Sequence, residues 1–233
     1  MDGRKELKFL LDSRMLFQIE KRISCAMKRD PHQNGESYNI RSIYFDSPED
    51  TCFHENQSGI DTRKKYRIRI YDHSDDPIKA EIKSKYRDTT HKESAKLTKE
   101  QFYACMRGNS LREILSGNSS KPLSEFAQKI IAEGYRPVSI VSYDRSAYIY
   151  TPCNVRVTFD KNIAASADFA AFFEENLMSK PVCKPGMHVL EVKYDEFLPD
   201  HILTLLKAGD LRRTSFSKYY LSRLTLGGTG PQA

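Results

Sequence analysis

The sequence predicts an α+β domain built on an antiparallel sheet with one strongly charged face. Several short runs alternate charged and apolar residues with period two, the pattern of a strand with two unlike faces. Between these runs lie segments whose apolar residues recur at helical spacing. No internal repeat, low-complexity segment or long linker divides the chain. We therefore predict a single domain over residues 1–226 and a disordered tail over 227–233.

Composition and charge narrow the class of protein. The chain has 233 residues, of which 39% are hydrophobic and 29% charged, which is typical of a globular domain and not of a disordered one. The formal net charge is +6, and residues 61–99 carry twelve Lys/Arg against seven Asp/Glu, so this window holds most of the surplus. Such localised basicity indicates an anionic ligand: phosphate, nucleic acid or an acidic membrane surface.

Cysteine usage and hydropathy predict a cytoplasmic location. The five cysteines are far apart and form no Cys-x-x-Cys pair, so the sequence predicts neither a disulfide framework nor a thiolate zinc site. We see no signal-peptide pattern and no apolar run as long as a membrane span. We expect Cys52 and Cys153 to be packing residues and not nucleophiles.

The first third of the chain predicts a strand, a helix and a second strand. Residues 4–10 alternate as a strand. Asp12 or Ser13 can cap a helix with apolar residues at helical spacing, which ends near Asp30 and Pro31. A second strand follows over residues 38–45 and is closed by an Asp-Ser-Pro turn.

The basic window predicts a β-hairpin. Residues 65–71 and 79–85 both alternate, and the acidic segment 72–77 between them is rich in turn residues. Pairing the two strands places four basic side chains on one face, with Ile68, Ile70 and Ile82 on the other. The residues of the basic face are Arg67, Arg69, Lys83 and Lys85.

The remaining elements alternate between helices and strands. Thr98 and Gln101 have the spacing of a capping box that begins a helix through Met106, and Gly134 is suited to end another. The predicted helices are 110–115, 124–132, 199–207 and 217–224, with a loop at 117–120. The predicted strands are 138–150, 154–160 and 187–194.

The charged strand faces are the candidate site. Three further strands repeat the pattern, with Glu6 and Lys8, with Arg156, Thr158 and Asp160, and with Glu191 and Lys193. A solvated outer sheet face would explain any one of them. However, the amphipathic helices need an apolar surface to cover. If they cover the outside of a closed sheet, the charged faces line a basic, water-filled tunnel. Guanidinium and ammonium groups in such a tunnel suit a polyphosphate chain, and the carboxylates suit Mg²⁺ or Mn²⁺.

The order of the motifs resembles a known family. The motifs are Glu6-Leu7-Lys8-Phe9, Ser42-Ile43-Tyr44-Phe45-Asp46, Tyr66-Arg67-Ile68-Arg69, Glu81-Ile82-Lys83, residues 92–96, Tyr143-Asp144-Arg145-Ser146-Ala147, Arg156-Val157-Thr158-Phe159-Asp160, Leu190-Glu191-Val192-Lys193-Tyr194 and Phe216-Ser217-Lys218-Tyr219. The chain resembles the VTC domain of polyphosphate polymerases, within the triphosphate tunnel metalloenzyme superfamily. The match covers nearly the whole chain, and the ordered set is more specific than any one motif.

The resemblance implies both a fold and an activity. The fold is a closed antiparallel eight-stranded β-barrel with a charged interior and helices packed on the outside. The activity is transfer of the terminal phosphate of ATP to a growing polyphosphate, with release of ADP and with Mn²⁺ or Mg²⁺ as cofactor. The implied catalytic residues are Lys8, Arg67, Arg69, Lys83 and Arg145. The implied phosphate-binding residues are Lys96, Ser217 and Lys218. The implied metal ligand is Glu191.

Alternation along the strands, by which every second residue lies on the same face, adds four residues to this set. Arg156 and Lys193 share the charged faces of their strands, and Lys85 shares the face of Lys83, so we predict that all three bind phosphate. Glu81 is either a second metal ligand or a cross-strand ion-pair partner of a basic neighbour.

Two departures from the superfamily pattern are visible. Arg4 stands where the superfamily has the first glutamate of Glu-x-Glu-x-Lys, which favours the VTC branch over typical triphosphatases. Thr214 and Ser215 stand where a further basic residue is expected, with Arg212 and Arg213 just upstream.

Two other functions stay open at this point: a triphosphate hydrolase on the same scaffold, and a non-enzymatic polyphosphate-binding module. Specific nucleic-acid binding is not predicted, because Tyr66 and Tyr71 fall on opposite strand faces and form no stacking platform. The predicted partners are therefore ATP and polyphosphate. We see no regulatory SPX-like domain and leave a membrane partner and the oligomeric state open.

Overall fold

The computed structural model describes residues 4–33, 35–87, 89–108, 111, 120–207 and 211–227. The predicted short helix at 110–115, the loop after it and the predicted tail lie almost wholly outside these residues. The domain boundaries predicted from the sequence stay a prediction.

One antiparallel sheet organises the molecule, as the alternating runs predicted. Its eight main strands follow in the order β1 (Lys5–Asp12), β10 (Met187–Tyr194), β8 (Val155–Ser166), β7 (Arg136–Tyr150), β3 (Tyr38–Asp46), β4 (Thr62–Tyr71), β5 (Ile78–Tyr86) and β6 (Thr89–Leu97). Two short strands lie off this path: β2 (Lys28–Arg29) pairs with β7, and β9 (Lys180–Pro181) pairs with β8. The α+β class and the antiparallel sheet are thereby confirmed.

The predicted closure of the barrel is not confirmed. Among the described strands, β1 and β6 end the hydrogen-bonded path and do not pair with each other. Part of the free edge of β1 is instead occupied by the segment before the last helix, where Thr214 N donates to Lys8 O and Arg213 bridges to Phe9. The sheet still curls on itself, because Lys83 Nζ on β5 lies 3.3 Å from a carboxylate oxygen of Glu6 on β1.

The described residues contain six α-helices. They are α1 (Ser13–Ala26), α2 (Thr51–Gln57), α3 (Lys99–Arg107), α4 (Lys121–Glu133), α5 (Asp200–Leu206) and α6 (Lys218–Thr225). The predicted caps are confirmed: Asp12 Oδ1 accepts from Met15 N at 2.7 Å, Thr98 and Gln101 form the capping box, and Gly134 ends α4 with φ 64°. Helix α2 and strand β6 were not predicted.

Most helices cover the apolar face of the sheet, which we call the outer face. On one half, Leu16, Ile19 and Ile23 of α1 pack in a cluster with Val157 and Phe159 of β8. These side chains are buried because the alternation places them opposite the charged residues of the same strand.

The other half of the outer face is covered by aromatic residues. Phe126 of α4 contacts Phe45 with ring centroids 5.1 Å apart and Tyr66 with centroids 5.8 Å apart. Phe102 of α3 stacks on Phe172 of the loop after β8. The two clusters thus cover the two halves of the outer face.

Helix α6 contradicts the prediction that the helices all pack on the outside. It lies on the opposite, charged side of the sheet, which we call the inner face. The ring of Tyr219 lies 5.1 Å from that of Tyr44, and Ser222 Oγ lies 3.0 Å from Ser139 Oγ. Because Tyr44 pairs with Arg67 across β3 and β4, these partners share the face that holds the basic residues.

Candidate phosphate-binding site

The register of β4 and β5 brings basic and acidic side chains together on the inner face. Arg67 pairs with Glu81 across the two strands. Its Nε lies 2.8 Å and its Nη2 2.6 Å from Glu81 Oε2, and Nη1 donates to Tyr44 Oη at 3.3 Å. Arg69 donates to Ser42 Oγ at 3.1 Å and to Tyr143 Oη at 3.3 Å. Both guanidinium groups are therefore oriented by the sheet itself.

A second basic cluster forms where α6 begins. Arg145 on β7 faces Asp160 on β8 and donates two hydrogen bonds to its carboxylate, at 2.6 and 2.8 Å. Lys218 Nζ lies 2.5 Å from the same carboxylate and 4.7 Å from the centre of the Tyr143 ring. The buried carboxylate of Asp160 thus holds the cations of Arg145 and Lys218 beside each other. Both cations also contact the face of the Tyr143 ring.

The third cluster crosses from β10 through β1 to β5. Lys193 lies 2.5 Å from Glu191 on β10. Lys8 lies 2.6 Å from Glu6 on β1, and Lys83 of β5 approaches the other oxygen of Glu6. Positive and negative side chains therefore alternate on the part of the inner face where β1 and β10 approach β5.

The electrostatics of this cluster shift several pKa values. Burial and the nearby Glu191 act to raise the pKa of Glu6, but Lys83, Lys8 and Lys193 outweigh them and lower it to about 2. Burial likewise opposes ionisation of Glu191, and Lys193 and Lys8 still hold its pKa well below the usual range. Burial lowers the pKa of Lys83 to about 8, because Glu6 offsets only part of its desolvation. Both glutamates are thus ionised at neutral pH.

The comparison with protein families decides what kind of domain this is. The model of the VTC domain matches residues 3–226 of the 233. The chain belongs to the VTC domain family. The resemblance seen in the ordered motifs is thereby confirmed.

Other comparisons place the VTC domain among distant structural neighbours. No curated protein matches its sequence significantly. Similar solved structures include an adenylate cyclase-like protein of Bacillus halodurans (13% identity, 87% of each chain, TM-score 0.48) and PH1819 of Pyrococcus horikoshii (14% identity, 95% of this chain and 97% of that one, TM-score 0.46). A third is the Mimivirus capping enzyme triphosphatase (13% identity, 88% of this chain and 86% of that one, TM-score 0.42). At such identities and TM-scores these likenesses carry no weight for function.

The inner face of the VTC domain brings together most residues predicted for the site. These are Lys8, Arg67, Arg69, Glu81, Lys83, Arg145, Glu191, Lys193 and Lys218. Ser217 is the N-cap of α6, and its Oγ accepts from Tyr220 N. Their roles toward phosphate stay predictions.

Three other predicted residues lie at the ends and the edge of the inner face. Arg156, at the beginning of β8, is the cross-strand partner of Lys193. It pairs with Asp30 at 2.7 Å and donates to Tyr38 Oη at 3.3 Å. Lys96 is 67% exposed on the edge strand β6 and pairs with Asp76. Lys85 lies opposite Arg63 near the end of β5 and is half-buried. All three share the inner face with the central arginines. Lys79 pairs with both Arg69 and Lys96, and Lys85 follows Lys83 by two residues on β5.

The two predicted metal ligands have different surroundings. Glu81 is engaged by Arg67, by Arg69 at 3.6 Å and by Lys92 at 3.3 Å, which is the ion-pair alternative considered for it. Glu191 lies close to Glu6, since Glu191 pairs with Lys8 on β1 and its negative charge acts to raise the pKa of Glu6. Across the described residues, no group of three or more His, Cys, Asp or Glu side chains is arranged to hold a metal ion.

Several inner-face residues were not assigned from the sequence. Glu6 and Asp160 were seen only as members of charged faces, and Lys65 and Lys92 were not assigned at all. Alternation along the strands could have found Glu6, Asp160 and Lys65, because each lies two residues from a predicted site residue or opposite one on the facing strand. Lys92 could not be found in this way, because its strand β6 was not predicted. Tyr143 could have been found in the same way as the first three, because it lies two residues before Arg145 on a predicted strand.

Within the part of the chain that the structure describes, no helix has the length and apolar character needed to cross a membrane.

Proposed function

We propose that this VTC domain is a metal-dependent polyphosphate polymerase, which transfers the terminal phosphate of ATP to a growing polyphosphate and releases ADP. The observation that carries the proposal is the convergence of Arg67, Arg69, Arg145 and Lys218 on one inner face of the sheet. Family membership supports it. ATP and polyphosphate as partners, and a cytoplasmic location, stay predictions.

The chemistry of phosphoryl transfer fits such a surface. The reaction needs the attacking and leaving oxygens held in line and the charge on the transferred group neutralised, with little covalent chemistry from the protein. An arginine has five N–H donors. Arg145 uses two of them on Asp160, so the others can bind phosphate oxygens without a change of side-chain orientation.

The carboxylates suit a divalent cation. Mg²⁺ is usually bound by one or two carboxylates together with substrate phosphates, and Mn²⁺ also prefers oxygen ligands. Glu191 and Glu6 offer two ionised, largely buried carboxylates on neighbouring strands. In our proposal these two residues hold the ion, which supplies charge neutralisation on the phosphates when bound.

The acceptor in this reaction is the terminal phosphate of the polymer, so no protein nucleophile is required. Cys52 does not offer one. Burial and the nearby Asp46 raise the pKa of its thiol to about 12, and it lies 3.7 Å from the phenol of Tyr135. This supports the packing role expected for Cys52.

A triphosphate hydrolase is the second candidate, and helix α6 is the observation that favours it. Because α6 packs against Tyr44 and Ser139, it occupies part of the inner face. A surface covered in this way suits a short triphosphate cleaved by water better than a long product. The two candidates differ in whether the acceptor is phosphate or water.

Product analysis after incubation with ATP and Mn²⁺ separates the candidates. The polymerase yields ADP together with long polyphosphate, whereas a hydrolase yields orthophosphate without polymer. The variants Arg67→Ala and Glu191→Ala should lose polymer synthesis, and Glu93→Ala, an exposed carboxylate on β6, serves as the control. Orthophosphate as the sole product overturns the polymerase, and binding of polyphosphate with no nucleotide turnover identifies a binding module.

A further inference from the structure

Lys65 is an inner-face cation that the proposed mechanism does not use. It lies on β4 two residues before Arg67 and therefore on the same face. Its Nζ donates to Asn56 Oδ1 of α2 at 2.6 Å and to Ser217 Oγ at 2.9 Å. Its neighbour Lys64 points to the opposite face, where it forms an ion pair with Glu125 at 2.7 Å.

The charge of Lys65 is not balanced locally. Lys65 pairs directly with Lys83 on β5, and Lys83 pairs with Lys92 on β6, so three lysines lie in one row across the sheet. Like charges directly opposite each other destabilise a sheet. Lys83 is offset by Glu6 and Lys92 by a second glutamate. Within the described chain, no carboxylate lies within ion-pair distance of Lys65.

The surroundings of Lys65 disfavour its charged form in the absence of a ligand. Burial is the main cause, and Lys83, Lys8 and Arg63 add repulsion, so the pKa of Lys65 is well below its ordinary value. A residue that served only to tie α2 to α6 would not need a charge here, since a neutral donor could make the same two hydrogen bonds. The position is better suited to a cation that an anion neutralises.

We propose that Lys65, Asn56 and Ser217 form an additional subsite for a phosphate group of a polyphosphate chain. The identity of the ligand rests on the proposed function. Lys65 and Arg69 are four residues apart on one strand, or about 13 Å. A chain bound at Arg69 and Arg67 can therefore continue along β4 to Lys65. The subsite adds a contact that longer phosphate chains use and that a single phosphate at the arginines does not.

Calorimetric titration of the metal-free protein with inorganic tripolyphosphate and with a short linear polyphosphate tests this subsite. Lys65→Met should weaken binding of the longer chain about tenfold, the scale of one charge-assisted hydrogen bond, and Lys65→Arg should recover most of it. Lys64→Met, which removes a neighbouring charge on the outer face, should bind as the wild type does. Equal affinity of Lys65→Met and the wild type for the longer chain overturns the subsite.

The thermal midpoint without ligand distinguishes binding from a structural role. We expect Lys65→Met to unfold at nearly the same temperature as the wild type, because the loss of two hydrogen bonds is offset by the removal of an unfavourable charge. A lower midpoint together with weaker binding overturns the proposal. A crystal structure of the wild type with the linear polyphosphate decides independently of any variant: a phosphate oxygen within hydrogen-bond distance of Lys65 Nζ supports the subsite, and its absence there overturns it.

The test of the subsite can fail or succeed independently of the test of the polymerase, because polyphosphate binding is measured without nucleotide. A wild type that makes no polymer but binds polyphosphate through Lys65 overturns the polymerase and leaves the subsite standing. A wild type that makes polymer while Lys65→Met binds and polymerises equally well overturns the subsite alone.

Discussion

At the scale of single residues, the inner face is organised before any substrate arrives. The guanidinium groups of Arg67 and Arg145 each make at least two hydrogen bonds to a buried carboxylate. Fixing side chains in advance lowers the entropy lost on binding. The carboxylates of the same pairs also limit the repulsion between the neighbouring cations.

The geometry of the Arg145–Asp160 pair can be tested with a charge-conserving variant. Arg145→Lys keeps the positive charge but donates from one atom and cannot reproduce the two-point contact. We expect kcat/KM for polymer synthesis to fall about tenfold or more, and the free energy of unfolding to fall by about 1–3 kcal/mol. Steady-state kinetics and urea unfolding measure the two effects. Unchanged values in both would show that the two-point contact is dispensable.

The lowered pKa of Lys83 predicts a pH dependence of anion binding. Lys83 is protonated below about pH 8 and neutral above it in the free protein. Affinity for tripolyphosphate should therefore fall as the pH rises from 7 to about 9, and Lys83→Arg should flatten this fall, because arginine stays charged. Calorimetry across this range measures it. An equally steep profile in Lys83→Arg assigns the titration to another group.

The same shift has a consequence for the free protein. Because the folded-state pKa lies below the ordinary 10.5, the unfolded chain binds more protons between about pH 8 and 10.5. The contribution of Lys83 to stability therefore rises with pH through this window.

At the scale of elements, α6 is held on the inner face by polar contacts that reach back to β3 and α2. Asp46, fully buried at the end of β3, accepts from the backbone N–H groups of Cys52 and Phe53 at the start of α2 and from the phenol of Tyr219. Arg223 forms a two-point pair with Asp50 at 2.9 and 2.8 Å. One carboxylate thus fixes the positions of two helices.

Removal of the Tyr219 phenol tests this arrangement. Tyr219→Phe leaves the ring in place and takes one hydrogen bond from a buried carboxylate, so the free energy of unfolding should fall by about 1–3 kcal/mol. Tyr103→Phe, on the exposed side of α3, is the matched control and should change it little. Urea denaturation of the three proteins provides the comparison. Equal stability of Tyr219→Phe and the wild type would show that α6 is held by packing.

Elements with two unlike faces could be predicted from the sequence, and the others could not. Strand β10 was predicted with its observed bounds, since its residues alternate between buried apolar and charged. Strand β6 shows no such alternation because, at the edge of the sheet, Leu97 is its one buried residue. Asp50 makes no side-chain capping bond to helix α2. The first N–H groups of the helix bond instead to Ser47 and Asp46, four and five residues before it begins.

For the candidate site, the alternation along each strand predicted which side chains share a face, but not which side chains each of them contacts. The predicted hairpin placed Arg67 and Lys83 together, as observed. The ion-pair alternative for Glu81 followed from the same hairpin and is observed with both arginines. That α6 would lie on the charged side depends on contacts between segments far apart in the chain. Such contacts leave no periodic signal in the sequence.

At the scale of the whole molecule, the buried carboxylates make the stability of the fold decrease at acidic pH. The pKa of Glu6 is lowered to about 2, and that of Glu191 is also lowered. A lowered carboxyl pKa contributes stability that is fully present above the ordinary value near 4.5 and is lost as pH falls toward the folded-state value.

We therefore expect the thermal midpoint to decrease steadily between pH 5 and about 2. The variant Glu6→Gln should show a shallower decrease, because one of the coupled carboxylates is absent. Differential scanning calorimetry at a series of pH values measures both proteins. Parallel curves for the two would exclude Glu6 as a source of the acid sensitivity.

The gap in the sheet between β1 and β6 has a mechanical consequence. In a hydrogen-bonded barrel, strand number and stagger determine the radius. Here the ion pair between Lys83 on β5 and Glu6 on β1, at 3.3 Å, is one of the described contacts that join the two sides of the sheet. A polyanion that attracts Lys83 acts directly on this pair. A bound anion therefore competes with Glu6 for Lys83, and its charge acts on a contact that holds the two edges of the sheet near each other.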